Sequence, residues 1–504
     1  MTRANKLKLN TITSLLYQLV TLVSGFILPR LILQYYGSDV NGLLSSITQF
    51  LAMITLCECG VGAVVQSALY KPIAQKDDDE ISKIYLSAKK FFNKVALILG
   101  VYIVILIVIF PQLINDVFGH WFTGILIAAI AISSFAQYYF GIVYKIIINS
   151  AQLVYIQMIV GTGTVILNVL LSAFFMINGF SIQVVKISSS AVFLLQPLTY
   201  WWVVSRKFNI NKKITYDEEP IKQKWNGLYQ HIATVVLENT DVITLTALST
   251  LSNVSIYAVY HLVTNGIKLA LVSLTTGMKA LLGDMYAREE VEKLNTTFSS
   301  FEWIMHAVVT LIYGIAAVLI VPFIIVYTVN ITDANYLQPT FGYILCFATM
   351  AYMIRIPYSY MILAAGHYRQ TQNSALIEAG LNIAVSAILV YKCGLIGVAI
   401  GTLIAMLYRT VYFAIYLSHN ILCRSLHHFL KHVICDIVCI IVIVLTTKWI
   451  PMLGIGYLEW IILAAEVSCI AIVECTLINC AFYKTEVKKF IAKMKSKRNK
   501  FEKE

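Results

Sequence analysis

The sequence has few charged residues: Asp, Glu, Lys and Arg make up 13% of its 504 residues, whereas hydrophobic residues make up 59%. A soluble chain of this length could not hide so much apolar surface from water. The apolar residues form runs of roughly twenty residues, without the alternation that is typical of barrel strands. The composition therefore predicts a polytopic, all-α membrane protein.

Several chemical signatures are also missing. The sequence has no phosphate-binding loop, no dinucleotide fingerprint and no nucleophile elbow, so an ATP-driven pump is not expected. Its ten cysteines include no CxxC pair and lie mostly in apolar runs, which is typical of packing residues. His428, His432 and Asp436 could align on one helix, but there is no HExxH motif, and we predict no bound metal and no other resident cofactor.

Fourteen apolar segments are each long enough to cross a bilayer. They cover residues 11–35, 42–70, 95–114, 121–144, 153–177, 182–204, 228–249, 254–282, 301–328, 337–364, 371–391, 395–417, 433–450 and 459–482. The first segment lacks a small-residue cleavage site, so we expect a retained helix and not a removed signal peptide.

The distribution of positive charge predicts the orientation of these segments. With the N-terminus inside, inward loops and tails hold 30 of the 38 Lys and Arg residues, whereas the outward side holds only Lys392 and, at the outer end of the thirteenth span, Lys448. The positive-inside rule then places both termini in the cytoplasm. The net charge of +12 is interpreted as this topology signal and not as a sign of nucleic-acid binding. Outward loops are short, which leaves no room for an extracellular domain.

An internal repeat appears when the chain is compared with itself at an offset of 214 residues. Ser38-Asp39-Val40 aligns with Ser252-Asn253-Val254, and Ser172-Ala173 aligns with Ser386-Ala387. Because each copy has an even number of spans, the two copies should enter the membrane in the same sense. The predicted organisation is a six-helix N-lobe (1–205), a cytoplasmic linker (206–226), a six-helix C-lobe (227–420), two further helices (421–483) and a basic cytoplasmic tail (484–504).

The cytoplasmic segment before the third span is the most patterned of the loops. Ile81, Ile84, Tyr85 and Ala88 recur at helical spacing among aspartates and lysines. This pattern predicts an amphipathic helix that lies along the membrane interface, with a solvated connector as the alternative.

The segment from Gly25 to Tyr70 contains recognisable sequence motifs. It has an LPR sequence near the end of the first helix, a YYGSDVNGL turn, and a glutamate followed by small residues and glycine in the second helix. This pattern resembles the bacterial polysaccharide flippases of the multidrug/oligosaccharidyl-lipid/polysaccharide exporter superfamily, and the likeness extends loosely along nearly the whole chain.

The resemblance implies a function and a location. It implies a flippase that translocates a polyprenyl-pyrophosphate-linked oligosaccharide across the bacterial cytoplasmic membrane, by alternating access of two six-helix lobes. It further implies contact with membrane lipids, polysaccharide-assembly proteins as possible partners, and no enzymatic activity.

Besides Lys186, which is interpreted as an anchor near the outer side of the sixth span, five basic residues lie deep in the predicted spans: Arg30, Lys268, Lys279, Arg355 and Arg409. Charges at such depth are costly unless they face a polar interior, so each is a candidate functional residue. Guanidinium and ammonium groups suit phosphate oxygens, and we predict a cationic cavity that binds the substrate pyrophosphate. Long side chains near helix ends can instead reach the interface, which is an alternative for Lys279 and Arg409.

Polar residues accompany these cations. Glu58, His261, Tyr352 and Tyr358 are predicted to line the polar part of the cavity. The tyrosines in this set could also offer stacking surfaces to sugar rings.

The seventh span carries candidates for ion coupling. Thr234, Glu238 and Asp241 share one helical face. Asp241 also matches a position at which the superfamily often has an acidic residue. These residues could bind a coupling Na⁺ or H⁺, but a buried ion pair of Glu238 or Asp241 with Lys268 is the structural alternative.

Two other functions remain open. One is a sodium- or proton-coupled exporter of drugs or small molecules from the same superfamily. The other is a membrane-embedded glycan polymerase or acyltransferase, which would be expected to show a sizeable extramembrane loop or a catalytic His/Asp cluster and no two-lobe repeat.

Overall fold

The computed structural model describes residues 3–58, 60–115, 117–215, 228–484 and 486–487. All regular structure in this part of the chain is helical. The α-helices are α1 (Arg3–Tyr36), α2 (Ser38–Ala52), α3 (Val61–Gln75), α4 (Asp78–Leu113), α5 (His120–Ala136), α6 (Ile142–Ser150), α7 (Val154–Ile177), α8 (Ile182–Phe193), α9 (Leu195–Lys207), α10 (Leu228–Leu248), α11 (Leu251–Ala287), α12 (Val291–Tyr327), α13 (Pro339–Ile354), α14 (Ile356–Ala364), α15 (Tyr368–Cys393), α16 (Leu395–Asn420), α17 (His427–Thr447) and α18 (Tyr457–Phe482).

Every predicted span coincides with one of these helices or with a pair of them. Among the described residues, 13 helical segments are long and apolar enough to cross a membrane. The seventh predicted span is also a helix, α10, but it is not one of the 13 and carries the polar residues Glu238, Asn239 and Asp241. The all-helical, multi-pass membrane class is therefore confirmed.

Four predicted spans are broken into two helices. Between α2 and α3 lies a 3-10 segment, Met53–Glu58, and between α5 and α6 lies a π-helical segment, Gln137–Gly141. The breaks after α8 and α13 precede Pro197 and Pro357. Proline has no backbone N–H and its ring clashes with the carbonyl four residues earlier, which explains why these helices stop there.

The amphipathic segment before the third span is not a separate interfacial helix. It forms the first turns of α4, which begins where the Asp77 carboxylate accepts a hydrogen bond from the Glu80 backbone N–H at 2.9 Å. The four apolar residues at helical spacing, Ile81 to Ala88, are at most 2% exposed. The spacing was interpreted correctly as an apolar helical face, but the predicted location was wrong because this face packs against protein and not against lipid.

The chain forms two compact units, Met1–Ala258 and Val259–Glu504. The first unit has two apolar clusters, one around Phe92 and Ile147 and one around Leu43 and Leu126. The lobes predicted from the repeat have a different boundary and stay predictions. The greater part of the predicted linker (216–226) and nearly all of the basic tail lie outside the described residues.

Polar pairs join α2 to α10 and to the start of α11 within the first unit. The Asn41 amide donates to the Ser255 hydroxyl at 2.8 Å, and the Ser46 and Thr246 hydroxyls are 2.6 Å apart. Asn41 and Ser255 are 214 residues apart, so a pair of equivalent positions of the sequence repeat is hydrogen bonded.

Small residues hold α15 and α16 close together in the second unit. A Cβ at Gly401 would lie 2.2 Å from the Ser386 hydroxyl, and one at Gly397 would lie 2.4 Å from a backbone carbon of Leu389. Only glycine permits this approach, which is a common way to pack helices in membranes. The tight hairpin places Glu378 of α15 opposite Arg409 of α16.

Candidate functional site

Two arginines of the second unit share one buried carboxylate. Arg409 of α16 donates through Nη1 to Glu378 Oε2 at 2.5 Å, and Arg355, at the break between α13 and α14, donates through Nη1 to Glu378 Oε1. Their exposed fractions are 5% for Arg409, 4% for Arg355 and 1% for the Glu378 side chain. Each carboxylate oxygen thus receives a charge-assisted hydrogen bond from a different helix.

The Tyr352 ring lies near Arg355 and also near a third cationic side chain, Lys268. The ring centroid is 4.6 Å from the Arg355 guanidinium carbon and 5.4 Å from Lys268 Nζ. We call the group of Lys268, Tyr352, Arg355, Glu378 and Arg409 the cationic cluster. Its two buried arginines share one carboxylate, a formal excess of one positive charge, which favours binding of an anion with several oxygens.

The cationic cluster brings together four of the residues singled out from the sequence. His261 lies on the same helix as Lys268 and interacts with its charge. Lys279 lies further along that helix and is half-buried. Glu378, which completes the cluster, was not singled out, although it lies in a predicted span as an ionisable residue.

Arg30 and Glu58 belong to the first unit. Arg30 is half-buried in α1, immediately after Pro29. Glu58 ends the 3-10 segment and accepts a hydrogen bond from the Tyr138 hydroxyl, which lies in the π-helical segment. Their predicted roles in substrate binding and cavity lining stay predictions.

The acidic residues of α10 have different surroundings. Asp241 is 5% exposed and its Oδ2 accepts a hydrogen bond from the Tyr257 hydroxyl at 2.8 Å. Thr234 and Glu238 are exposed. A buried carboxylate beside a hydroxyl is a chemically suitable site for Na⁺ or H⁺. Carboxylate and hydroxyl oxygens can coordinate a hard cation, and a carboxylate can accept a proton.

A second buried polar group of the second unit joins α12 to α17. His306 Nδ1 and Asp436 Oδ2 are 2.6 Å apart, and the Thr310 hydroxyl donates to Asp436 Oδ1 at 2.7 Å. His306 and Asp436 are only 2% and 5% exposed. Both carboxylate oxygens of Asp436 are therefore satisfied from α12.

The same group extends to Glu302, one turn before His306. The Tyr358 hydroxyl donates to Glu302 Oε1 at 2.6 Å, and Arg424 Nη2 donates to the same oxygen at 2.5 Å. The Tyr358 oxygen lies 3.2 Å from His306 Nε2. Because the single Tyr358 proton is directed at Glu302, its oxygen accepts from His306, which assigns a hydrogen to His306 Nε2.

His432 closes the group. Its ring stacks on that of His306 with centroids 4.7 Å apart, and its Nδ1 lies 2.7 Å from the Tyr483 hydroxyl. Burial raises the pKa of Tyr483, so the phenol keeps its proton and donates to His432. We call Glu302, His306, Tyr358, Arg424, His432, Asp436 and Tyr483 the histidine–carboxylate network.

Comparison with known proteins was made by sequence and by structure. No protein-family model and no curated protein matches the sequence. The fold is similar to that of the lipid II flippase MurJ in an inward closed conformation, with a TM-score of 0.68 and 16% identity over 95% of this chain and 99% of that chain. It is also similar to an inward-facing multidrug resistance MATE family transporter of the MOP superfamily, with a TM-score of 0.64 and 17% identity over 80% of this chain and 95% of that one. The chain has the fold of the MOP-superfamily transporters.

A third solved structure also has a similar fold. It is a transporter from Pyrococcus furiosus whose binding pocket is described as having reverse polarity, which suggests a different function; its TM-score is 0.50 and its identity 17%, over 83% of this chain and 95% of that chain. The superfamily resemblance seen in the sequence is confirmed at the level of the fold.

The histidine–carboxylate network was missed by the sequence analysis. Glu302 and His306, and likewise His432 and Asp436, are four residues apart, so each pair lies on one helical face. The spacing was considered for His432 and Asp436 only as a metal site, and no metal-binding group is found among the described residues. His306 of the first pair bonds Asp436 of the second across two helices, which could have been suspected only if α12 and α17 were known to be neighbours.

This network predicts a large effect of Asp436 on stability. Asp436→Ala should lower the free energy of unfolding by about 3–5 kcal/mol, because it leaves the buried His306 and Thr310 without their acceptor. Thr310→Val removes only one neutral donor and should cost about 1 kcal/mol. Thermal unfolding of the purified protein in detergent measures both variants. Equal, small losses would contradict the pairing of His306 with Asp436.

Proposed function

We propose that this MOP-fold protein is a transporter that moves a polyprenyl-pyrophosphate-linked oligosaccharide from the inner to the outer leaflet. The observation that carries the proposal is the cationic cluster, since a buried excess of positive charge suits a pyrophosphate and disfavours cationic drugs. The similarity to the lipid II flippase MurJ over 95% of this chain supports it, whereas the MATE family transporter leaves about one fifth of the chain unmatched.

The chemistry of the cluster fits phosphate in particular. Guanidinium groups present several N–H donors in a planar fork that matches phosphate oxygens, and Glu378 occupies one donor of each arginine. Lys268 adds a point charge 5.4 Å from the centroid of the Tyr352 ring.

Transport would follow from alternating access of the two predicted lobes. A bound substrate shifts a conformational equilibrium only through its different affinity for the two states. In this proposal the substrate-loaded protein passes from the inward to the outward form, and a gradient of Na⁺ or H⁺ restores the inward form after release. The location would be the bacterial cytoplasmic membrane with both termini inside, where polysaccharide-assembly proteins could supply or receive the glycan.

A flipping assay tests the proposal directly. The purified protein is reconstituted into liposomes that contain a fluorescent polyprenyl-pyrophosphate oligosaccharide, and dithionite quenching reports which fraction is exposed outside. We expect dithionite to quench the whole probe population faster in liposomes that contain the protein than in liposomes without it. The same vesicles are tested for gradient-driven movement of ethidium. Movement of ethidium without movement of the glycolipid would reject the flippase.

A drug or small-molecule exporter coupled to Na⁺ or H⁺ is the second candidate. The observation that favours it is the buried Asp241 with its Tyr257 hydroxyl, since this arrangement can hold a coupling cation. The polymerase or acyltransferase alternative has no comparable support, because the fold is that of transporters.

Neutral substitutions of the acidic residues in α10 test whether these residues couple transport to an ion gradient. If Asp241 and Glu238 bind a coupling cation, Asp241→Asn and Glu238→Gln should remove the dependence of transport on a sodium or proton gradient without removing substrate binding. The effect should be larger for the buried Asp241 than for the exposed Glu238. Transport by reconstituted vesicles, with and without each gradient, measures this. Tyr257→Phe keeps the carboxylate and should retain a weaker gradient dependence, while unchanged dependence in both acidic variants would end the coupling hypothesis.

A further inference from the structure

The first unit contains a cavity of about 430 Å³. It lies where α4, the π-helical segment, α6 and the first half of α9 meet, and Lys212, which follows α9 in the chain, completes its lining. Its volume is within the range of small-molecule sites. The residues that line it are Tyr85, Lys89, Tyr139, Phe140, Val143, Tyr144, Pro197, Leu198, Trp201 and Lys212.

Two lysines provide all the charge of this cavity. Lys89 is half-buried and Lys212 is exposed, and the positive charge of Lys212 acts on Lys89. The lining residues include no carboxylate. Two ammonium groups that face one cavity repel each other, and an anion between them would remove this repulsion.

The walls of the cavity are aromatic. Tyr85 and Tyr144 form a buried floor, with their hydroxyl oxygens 2.9 Å apart. Tyr139, Phe140 and Trp201 are 42%, 56% and 47% exposed. Exposed aromatic residues beside lysines are typical of the level of the lipid head groups. The cavity therefore combines two cationic groups with an apolar, aromatic lining, as an amphiphilic ligand requires.

We propose that this cavity binds the head group of an anionic phospholipid. The phosphodiester would lie between Lys89 and Lys212, and the start of the acyl chains would lie along Phe140 and Trp201. On the topology predicted from the charge bias, this end of the helices faces the cytoplasm, where the leaflet is anionic and basic pockets between helices bind such head groups. The π-helical segment contributes Tyr139 and Phe140 to the wall, and such segments occur frequently at functional sites.

The neighbouring lysines provide matched controls. Lys90 follows Lys89 and Lys213 follows Lys212, yet both are exposed and neither lines the cavity. A general attraction of basic residues to an anionic surface would depend on all four lysines. Binding at a specific site in the cavity would depend on Lys89 and Lys212 and not on their neighbours.

Binding is measured on the full-length protein, purified in an uncharged detergent, by native mass spectrometry and calorimetry. The probes are short-chain phosphatidylglycerol, short-chain phosphatidylcholine and inorganic phosphate. We expect phosphatidylglycerol to bind best, and its affinity to fall by about 30-fold in the Lys89→Gln, Lys212→Gln double variant. The Lys90→Gln, Lys213→Gln double variant should bind within about twofold of the unmodified protein. Raising the salt concentration should weaken binding of phosphatidylglycerol and not that of phosphatidylcholine.

Three results would overturn the proposal. Equal loss in both double variants would mean a diffuse surface attraction. Inorganic phosphate that binds as tightly as phosphatidylglycerol would assign the site to free phosphate. Phosphatidylcholine that binds equally well would reduce the cavity to an apolar groove. Should the Lys89 and Lys212 variant not fold, the salt dependence of the unmodified protein decides, since a salt-independent affinity excludes the lysines. The measurement involves no transport, so it is independent of the proposed function.

Discussion

Arg355→Ala should reduce glycolipid transport by about two orders of magnitude while the protein remains folded. Arg355 is one of two arginines that share Glu378, so its removal leaves Arg409 and Glu378 as a balanced pair with no stranded charge. The same change removes a guanidinium fork from the proposed phosphate site. A lost contact between buried charged groups costs about 2–5 kcal/mol, and each ~1.4 kcal/mol corresponds to tenfold in rate.

The flipping assay in liposomes measures this effect, with protein amount and thermal unfolding determined on the same preparations. Arg355→Lys should restore part of the rate, because an ammonium group supplies the charge but not the fork. Arg369→Ala is the matched control, since Arg369 is exposed at the start of α15 and lies outside the cluster. Arg30→Ala is expected to impair transport as well. Normal transport in both the Arg355 and the Arg30 alanine variants would make the cluster a structural ion-pair network.

Glu378→Gln should be more destabilising than removal of either arginine. The carboxylate is 1% exposed and receives hydrogen bonds from two buried guanidinium groups. Neutralising it leaves both positive charges buried without compensation, which should lower the free energy of unfolding by about 3–5 kcal/mol.

Thermal unfolding in detergent measures the change, and a second substitution tests its cause. Arg409→Met in the Glu378→Gln background removes one of the stranded charges and should recover part of the lost stability, a non-additive result expected for residues in contact. Glu238→Gln is the control, since that carboxylate is exposed and its neutralisation should cost little. If Glu378→Gln unfolds at the temperature of the unmodified protein, the two arginines do not depend on this carboxylate.

The class of the protein and the positions of its membrane spans could be predicted from the apolar runs alone. In a bilayer the backbone must satisfy its own hydrogen bonds, so an apolar run of about twenty residues has little choice but to be helical. The run 395–417, for example, became α16, Leu395–Asn420. The sequence motifs of the first predicted hairpin also indicate the superfamily whose fold the chain has.

The partners of the buried ionisable residues could not be found in this way. Glu378 lies 23 residues from Arg355 and 31 from Arg409, and His306 lies 130 residues from Asp436. Helical periodicity shows which residues of one helix share a face, but not which other helix that face meets. For the same reason the apolar face at the start of α4 was assigned to the membrane surface, whereas it packs inside the first unit.

Long-range packing determines which of the buried charges are paired. The close approach of α15 and α16 at Gly397 and Gly401 brings Glu378 to Arg409, and the break before Pro357 places Arg355 on the same carboxylate. The excess positive charge of the cluster follows from this packing and not from composition. Local hydrophobicity determines that a segment is a helix, whereas the pairing of buried charges depends on long-range packing, where an unpaired charge would be too costly.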